Sequence, residues 1–185
     1  MLFCPDPSRG PGRYHRAGAP GAWYASSTMR ASWCELFRHF FASDAPDPFE
    51  VRRRAGRARI EVLRLLDLTD PQVRSRLGVE QSDLVADDYE LCQALADAAR
   101  AAGLDGLLAP SAGLPGNATL ALFSQAVDSG RVVQETSRVQ APPLDLVRVL
   151  PNVRSTASTA EAFQRHLTSL IRLPYRALRR RYRRR

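Results

Sequence analysis

Lysine is absent from this chain of 185 residues, and all 27 of its Lys/Arg positions are arginines. That absence excludes a P-loop, in which a lysine reaches the terminal phosphates of a nucleotide. No G-x-G-x-x-G occurs either, so the dinucleotide fingerprint is excluded too. Any nucleotide chemistry here has to use some other arrangement. Histidine is scarce: His15, His39 and His166 are too scattered for a zinc motif, and no metal is expected. "APSAG" (109 to 113) misses the nucleophile elbow because Ala109 stands where its first glycine belongs. Cysteine is scarce as well. Cys4, Cys34 and Cys92 form neither a disulfide framework nor a metal-ligand spacing, which suits a reducing cytoplasm. Cys34 and Cys92 fall in helical patterns and are expected as small buried thiols. No apolar run approaches the roughly 18 to 20 residues of a membrane helix. The start, "MLFCPDPSRG", lacks the basic and apolar blocks of a signal peptide, so a cytoplasmic location is expected.

The net charge is +8, yet its distribution argues against a nucleic-acid groove. Eight arginines and no acid fall in residues 172 to 185, while the other 19 arginines balance the chain's 19 acids. Nucleic-acid contact is therefore expected only from the tail.

What is present reads as interspersed strands and helices without a βαβ rhythm, hence a mixed α+β fold. "AWYAS" (22 to 26) predicts a strand, and Ser26 or Ser27 a cap for the helix that follows. In that helix Met29, Trp33, Leu36, Phe37, Phe40 and Phe41 form one apolar stripe. Glu35 lies about 200° from Trp33 at 3.6 residues per turn, off the centre of the stripe. Taken alone it has Arg38 and His39 at i+3 and i+4, the spacing of a surface ion pair. "RRRAGRARIE" reads as a basic loop entering a strand over 58 to 69. Asp70-Pro71 starts a short helix that stops at Leu77-Gly78. A longer helix runs from about Asp88 to Ala102, its apolar side being Leu91, Cys92, Leu95, Ala98, Ala99 and Ala102. Strands "DGLLAP" and "ATLALFS" flank the loop "SAGLPGN", and "RVVQETSRV" follows the turn Asp128-Ser129-Gly130. Past "QAPP" a helix capped at Ser158, with Glu161 completing a capping box, leads into the arginine-rich tail.

"GRYHRAGAP", "WYASSTMRASWCE", "LLDLTDPQVRSRLGV", "DDYELCQALADAARAAG" and "GLDGLLAPSAGLPGNATLALF" occur in that order over roughly residues 10 to 139. In this order they resemble the RES domain, and within it the toxins of bacterial toxin–antitoxin pairs. The resemblance implies an ADP-ribosyltransferase-like split mixed sheet with flanking helices, plus a basic helical C-terminal extension. It implies a RES domain over 10–142, short of the family's upstream strand segment, and an extension over 143–185. It implies NAD as substrate rather than a bound cofactor, with ADP-ribose passed to water or phosphate. A protein ADP-ribosyltransferase, or an inactive protein binding through its basic tail, are the alternatives. It also implies a helix-turn-helix antitoxin as partner and no membrane.

Carried over by position, Arg13, Tyr24, Glu35 and Ser111 are the family's arginine, tyrosine, glutamate and serine, and Asn117 a polar residue near the cleft. Cleaving the nicotinamide–ribose bond builds an oxocarbenium-like centre, which a carboxylate such as Glu35 stabilises. Arg13 can fork onto phosphate or ribose oxygens, Tyr24 stack on nicotinamide and Ser111 hydrogen-bond the substrate. The family's familiar "GRWN" is "GRYH" here, which implies altered ribose contacts at Tyr14 and His15.

Overall fold

Strand β1 forms over Ala22–Ser26, as its sequence predicts, in a computed structural model that describes residues 10–40, 50–61 and 64–146. The expected C-terminal helix and tail, Cys4 and Phe41, and the side chains of His39 and Phe40, lie outside the described residues. Helix α1 (Met29–Phe40) follows β1 directly. Its cap is Thr28, whose Oγ1 accepts from the Ala31 amide at 3.1 Å, rather than Ser26 or Ser27. Ser27 is committed elsewhere: its Oγ accepts from the Ala118 amide at 3.1 Å.

The basic stretch expected as a loop is strand β2 (Arg53–Ile60), and β3 is the short Leu65–Asp67. Helices α2 (Pro71–Leu77), α3 (Gln81–Val85) and α4 (Glu90–Ala101) lead to β4 (Gly106–Pro110). Asp70 caps α2 by accepting from the Gln72 amide at 2.7 Å, with Pro71 at the first helical position and Gly78 closing the helix. Strand β5 (Ala118–Phe123), helix α5 (Ser124–Asp128) and strand β6 (Val132–Gln140) complete the order. Among the described residues two sheets result, one of four strands in the order β1-β5-β4-β3 and one antiparallel pair, β2-β6. Only β3 and β4 run parallel in the larger sheet, and α2, α3 and α4 make that crossover. This is the mixed α+β arrangement expected, a split sheet with flanking helices.

Register decides which side chains share a face. Tyr24 lies opposite Ala121, and Ser26 opposite Thr119, so Tyr24 and Thr119 project from the same face of the sheet. Much of that face is buried: Ala22, Leu107, Ala109, Ala121 and Phe123 pack with Leu84 of α3 and Cys92, Ala96 and Ala99 of α4. Trp33, Cys34 and Phe37 of α1 form a second cluster with Val51, Leu114 and Leu146. Cys34 and Cys92 are the buried thiols expected.

Helix α4 is rotated from the expectation: Leu91 is 39% exposed, Ala98 and Ala102 face solvent, and Ala96 is buried instead. Polar contacts to the segment ahead of β1 set that rotation. Gln93 Nε2 donates to the carbonyls of Gly12 and His15 at 3.0 and 3.3 Å. Arg100 Nη2 donates to those of Tyr14 and Pro20 at 3.0 and 3.2 Å, while its guanidinium covers the Phe123 ring.

Candidate active site

Glu35 meets a loop that lies 76 to 84 residues further along the chain. Its Oε1 accepts from Ser111 Oγ at 2.6 Å, the Gly113 amide at 2.9 Å and Thr119 Oγ1 at 3.2 Å. Its Oε2 has no hydrogen-bond partner among the described residues, and no arginine bridges the carboxylate there. Two hydroxyls and one amide therefore orient the group through one oxygen. The loop is built to come this close. A Cβ on Gly113 would lie 2.6 Å from the Glu35 nitrogen and 2.8 Å from the Cys34 carbonyl carbon. Ser111 Oγ in turn accepts from the Leu114 amide at 3.1 Å, so one hydroxyl ties the turn and donates to the carboxylate.

Asn117 secures the other end of the same loop. Its carbonyl accepts from the Ser111 amide at 2.8 Å, and its Oδ1 accepts from Thr28 Oγ1 at 2.9 Å and Ser27 Oγ at 3.3 Å. Asn117 thus joins the start of α1 to the loop that holds Glu35.

Tyr24 stands on the sheet face from which Thr119 reaches Glu35, and its hydroxyl belongs to a second loop. Residues Gly12 to His15 form a tight turn, bridged by Gly12 N to His15 O at 3.0 Å. The Tyr14 amide donates to Tyr24 Oη at 3.0 Å, and His15 Nδ1 lies 3.1 Å from the same oxygen. Burial pushes the Tyr24 phenol up to about 12, so it stays protonated at neutral pH. Tyr14 is fully buried, its ring 6.3 Å from that of Tyr24. Tyr14 is a core residue, not an exposed ribose contact.

Arg13 occupies the outward corner of that turn and is held by main chain. Its Nη1 donates to the carbonyls of Leu84 at 2.9 Å and Ala86 at 2.6 Å, and its guanidinium lies 4.5 Å over the Tyr89 ring. Its Nη2 is buried without a partner among the described residues. Arg38 reaches the same segment from α1. Its Nη2 donates to Val85 O at 2.9 Å and Asp87 Oδ1 at 2.6 Å, and the residue is 8% exposed. The ion pair with Glu35 that the i+3 spacing suggests does not form. The carbonyl and carboxylate of 85 to 87 draw Arg38 one way, and the three donors of the 111–119 loop turn Glu35 the other.

Glu35 and Ser111 are thus in direct contact, with Asn117 bracing them and Tyr24 on the shared face. Arg13 joins the group through the turn and through residues 84 to 87, not by touching Glu35. Arg16 pairs with Asp97 at 2.9 Å on the surface. Sequence reasoning missed Thr119 and Gly113. The glycine-rich "SAGLPGN" was the signal for the second, because a close approach of two backbones needs a residue without a side chain. Thr119 has no such mark; only the strand register shows it.

A family model described as the RES domain matches residues 3–147. A Mycobacterium tuberculosis protein named "Probable NAD(+) phosphorylase Rv3189" is 50% identical over 183 residues, 99% of this chain and 86% of that protein. The Mycobacterium bovis protein named NAD(+) phosphorylase MbcT is 34% identical over 94 residues, 50% of each chain. A chain from the crystal structure of the M. tuberculosis MbcT–MbcA toxin–antitoxin complex matches with a TM-score of 0.61 at 26% identity. That match covers 78% of this chain and 77% of that one. With the ordered motifs, the split mixed sheet and a family match spanning most of its length, this chain belongs to the RES domain family.

Proposed function

We propose that this protein is an NAD phosphorylase acting as the toxin of a toxin–antitoxin pair. In the reaction a phosphate oxygen bonds to the ribose carbon as that carbon's bond to nicotinamide breaks. The bonding pair goes to the pyridinium nitrogen, which leaves neutral. The observation that carries this reading is the Glu35 carboxylate, oriented through one oxygen by Ser111, Gly113 and Thr119, with no partner on the other among the described residues. Neutral donors orient the group without cancelling its charge, so that charge is available to the cationic ribose centre. In this reading Ser111 positions Glu35 and borders the NAD cleft, and Tyr24 supplies an aromatic face to nicotinamide. Arg13 binds on the phosphate side with its unpartnered Nη2, and Asn117 braces the cleft. The relatives named as phosphorylases favour phosphate over water as acceptor.

The enzyme then lies within residues 10–142, with 143–185 as an extension, although Leu146 packs into the α1 cluster. The partner is an antitoxin, as in the MbcT–MbcA complex, and by family resemblance a helix-turn-helix protein. The location is cytoplasmic, where the buried free thiols Cys34 and Cys92 stay reduced. The test is nicotinamide release from NAD with and without inorganic phosphate, with the sugar phosphate followed by phosphorus NMR. Phosphate-dependent release that falls about a thousandfold in Glu35→Gln supports the reading. Release at an equal rate without phosphate would make water the acceptor. No release by the wild-type protein, or full activity in Glu35→Gln, would overturn it.

A further inference from the structure

His15 is 5% exposed, at the closing position of the Gly12–His15 turn, and its Nδ1 lies 3.1 Å from Tyr24 Oη. A phenol has one proton to give and can accept elsewhere. The Tyr14 amide, at 3.0 Å, already fills an acceptor position on that oxygen. With that position filled, the phenol proton can go to His15 Nδ1. The space for this contact exists because residue 12 is glycine. A Cβ there would lie 2.4 Å from His15 Cε1, 2.7 Å from Nδ1 and 2.9 Å from Tyr24 Oη. Gln93 of α4 holds the turn from beneath by its two carbonyls. The Tyr24 ring is thus set by β1 at one end and by a closed, buried turn at the other.

We propose that His15 is a positioning residue for Tyr24: neutral, with its proton on Nε2, it accepts the Tyr24 hydroxyl and fixes the ring that meets the nicotinamide end of NAD. This rests on the NAD reading of the same site. A proton on Nδ1 turns the acceptor into a donor and releases the Tyr24 hydroxyl, so NAD binding weakens in acid. Among the groups that face His15, Arg100 disfavours the charged imidazole. Arg100 of α4 is the cation beside it, itself paired with Asp97, and Tyr24 and Tyr14 are its titratable neighbours, both protonated. Burial first, then Arg100, holds the imidazole below the ordinary histidine value of 6.5. The contact is therefore complete at neutral pH and is lost as pH falls through that lowered value.

Nitrogen-15 imidazole spectra of the full chain, from about pH 8 to about pH 5, test the proposal. The His15 signals are those missing in His15→Asn. The expected result is an unprotonated Nδ1 at neutral pH, whose resonance moves in Tyr24→Phe. In parallel, KM for NAD rises about tenfold as His15 titrates, with kcat changing much less, the loss of roughly one good hydrogen bond. His15→Leu shows the raised KM at every pH. His15→Asn, whose amide oxygen still accepts, keeps KM within about threefold and loses the acid rise. A protonated Nδ1 at neutral pH, a wild-type KM in His15→Leu, or an acid rise that persists in His15→Asn each overturns the proposal. The spectra need no activity: His15 nitrogens unmoved in Tyr24→Phe overturn it even if NAD is cleaved. A wild type that releases no nicotinamide sinks the NAD reading instead.

Discussion

At the start of β4, Asp105 takes Arg131 Nη2 at 2.6 Å on one oxygen, and Arg131 Nη1 at 3.3 Å with the Arg64 amide at 2.9 Å on the other. Just past the far end of β4, beside Ser111, Glu35 takes two hydroxyls and an amide and, among the described residues, no cation. One strand thus separates two carboxylates handled in opposite ways. Asp105 has its charge answered from within the chain, and both oxygens are spent. It works as a staple between the start of β3, β4 and the residue leading into β6. Among the described residues Glu35 is oriented by neutral donors on one oxygen, so its charge is held in place without an opposite charge from them. The donors around a carboxylate, more than its burial, distinguish a structural group from one poised to act on a cation.

Removing each charge in turn is the largest test of that contrast. Glu35→Gln is expected to lose about a thousandfold in nicotinamide release while keeping most of its stability. Asp105→Asn is expected to keep its activity per folded molecule and lose about 1–3 kcal/mol in urea unfolding. A Glu35 variant that fails by unfolding, or an Asp105 variant that is stable and inactive, would break the comparison.

Gly113→Ala comes next. Its Cβ would press on the backbone of Cys34 and Glu35, which cannot swing aside, so the loop must shift and carry its amide and Ser111 away. The expected cost is about 1–3 kcal/mol of stability, with a rate loss of about a hundredfold in the protein that remains folded. Wild-type kinetics in this variant would show that the loop's approach does not set the carboxylate.

Ser111→Ala removes one of three donors and is expected to cost about tenfold in rate, and Thr119→Val, at the longer 3.2 Å, about threefold. Steady-state kinetics on both variants should preserve that order; the reverse order would mean that Thr119 is the principal anchor. The smallest effect is one of pH. The Arg131 hydrogen bond, then the Arg64 amide, hold the Asp105 carboxyl below its ordinary value of 3.8. Its folded value being depressed, Asp105 contributes stability above the ordinary carboxylate range and loses it as pH falls through the lowered value. The stability gap between wild type and Asp105→Asn should therefore be full at neutral pH and close in acid. A gap that persists in acid would mean that the staple does not depend on the charge.

Local signals were readable where their chemistry was local. Strand β1 was legible to the residue, as was α2, because Asp70, Pro71 and Gly78 are start and stop signals in themselves. The ribbon of β2 was not: "RRAGRARI" has no apolar alternation, since its arginines stand in solvent on a strand that, among the described residues, pairs with β6 alone. Helices α3 and α5, five residues each, are too short to show a helical period. The face of α4 was misjudged because Gln93 and Arg100 have buried work to do against main-chain carbonyls, which a pattern of apolar residues does not reveal.

The candidate site divides in the same way. The ordered motifs placed Arg13, Tyr24, Glu35, Ser111 and Asn117 on a turn, a strand, a helix and a loop. The helical period put Glu35 off the apolar stripe. Which donors meet that carboxylate depends on contacts across 76 to 84 residues of chain, and no local pattern carries such information. Helix geometry offered Glu35 the arginine one turn away; packing sent Arg38 to Val85 and Asp87 and gave Glu35 the loop after β4. Sequence by itself determined most of the longer elements, the family and the residue types that its chemistry needs, because these rest on short-range periodicity, capping and motif order. Tertiary structure alone decided that Glu35 faces neutral donors, that Arg13 is braced by main chain and that His15 meets Tyr24. The first two are competitions between partners distant along the chain, and the third sets a turn against the neighbouring strand; all are settled by which groups the packed sheet brings within reach.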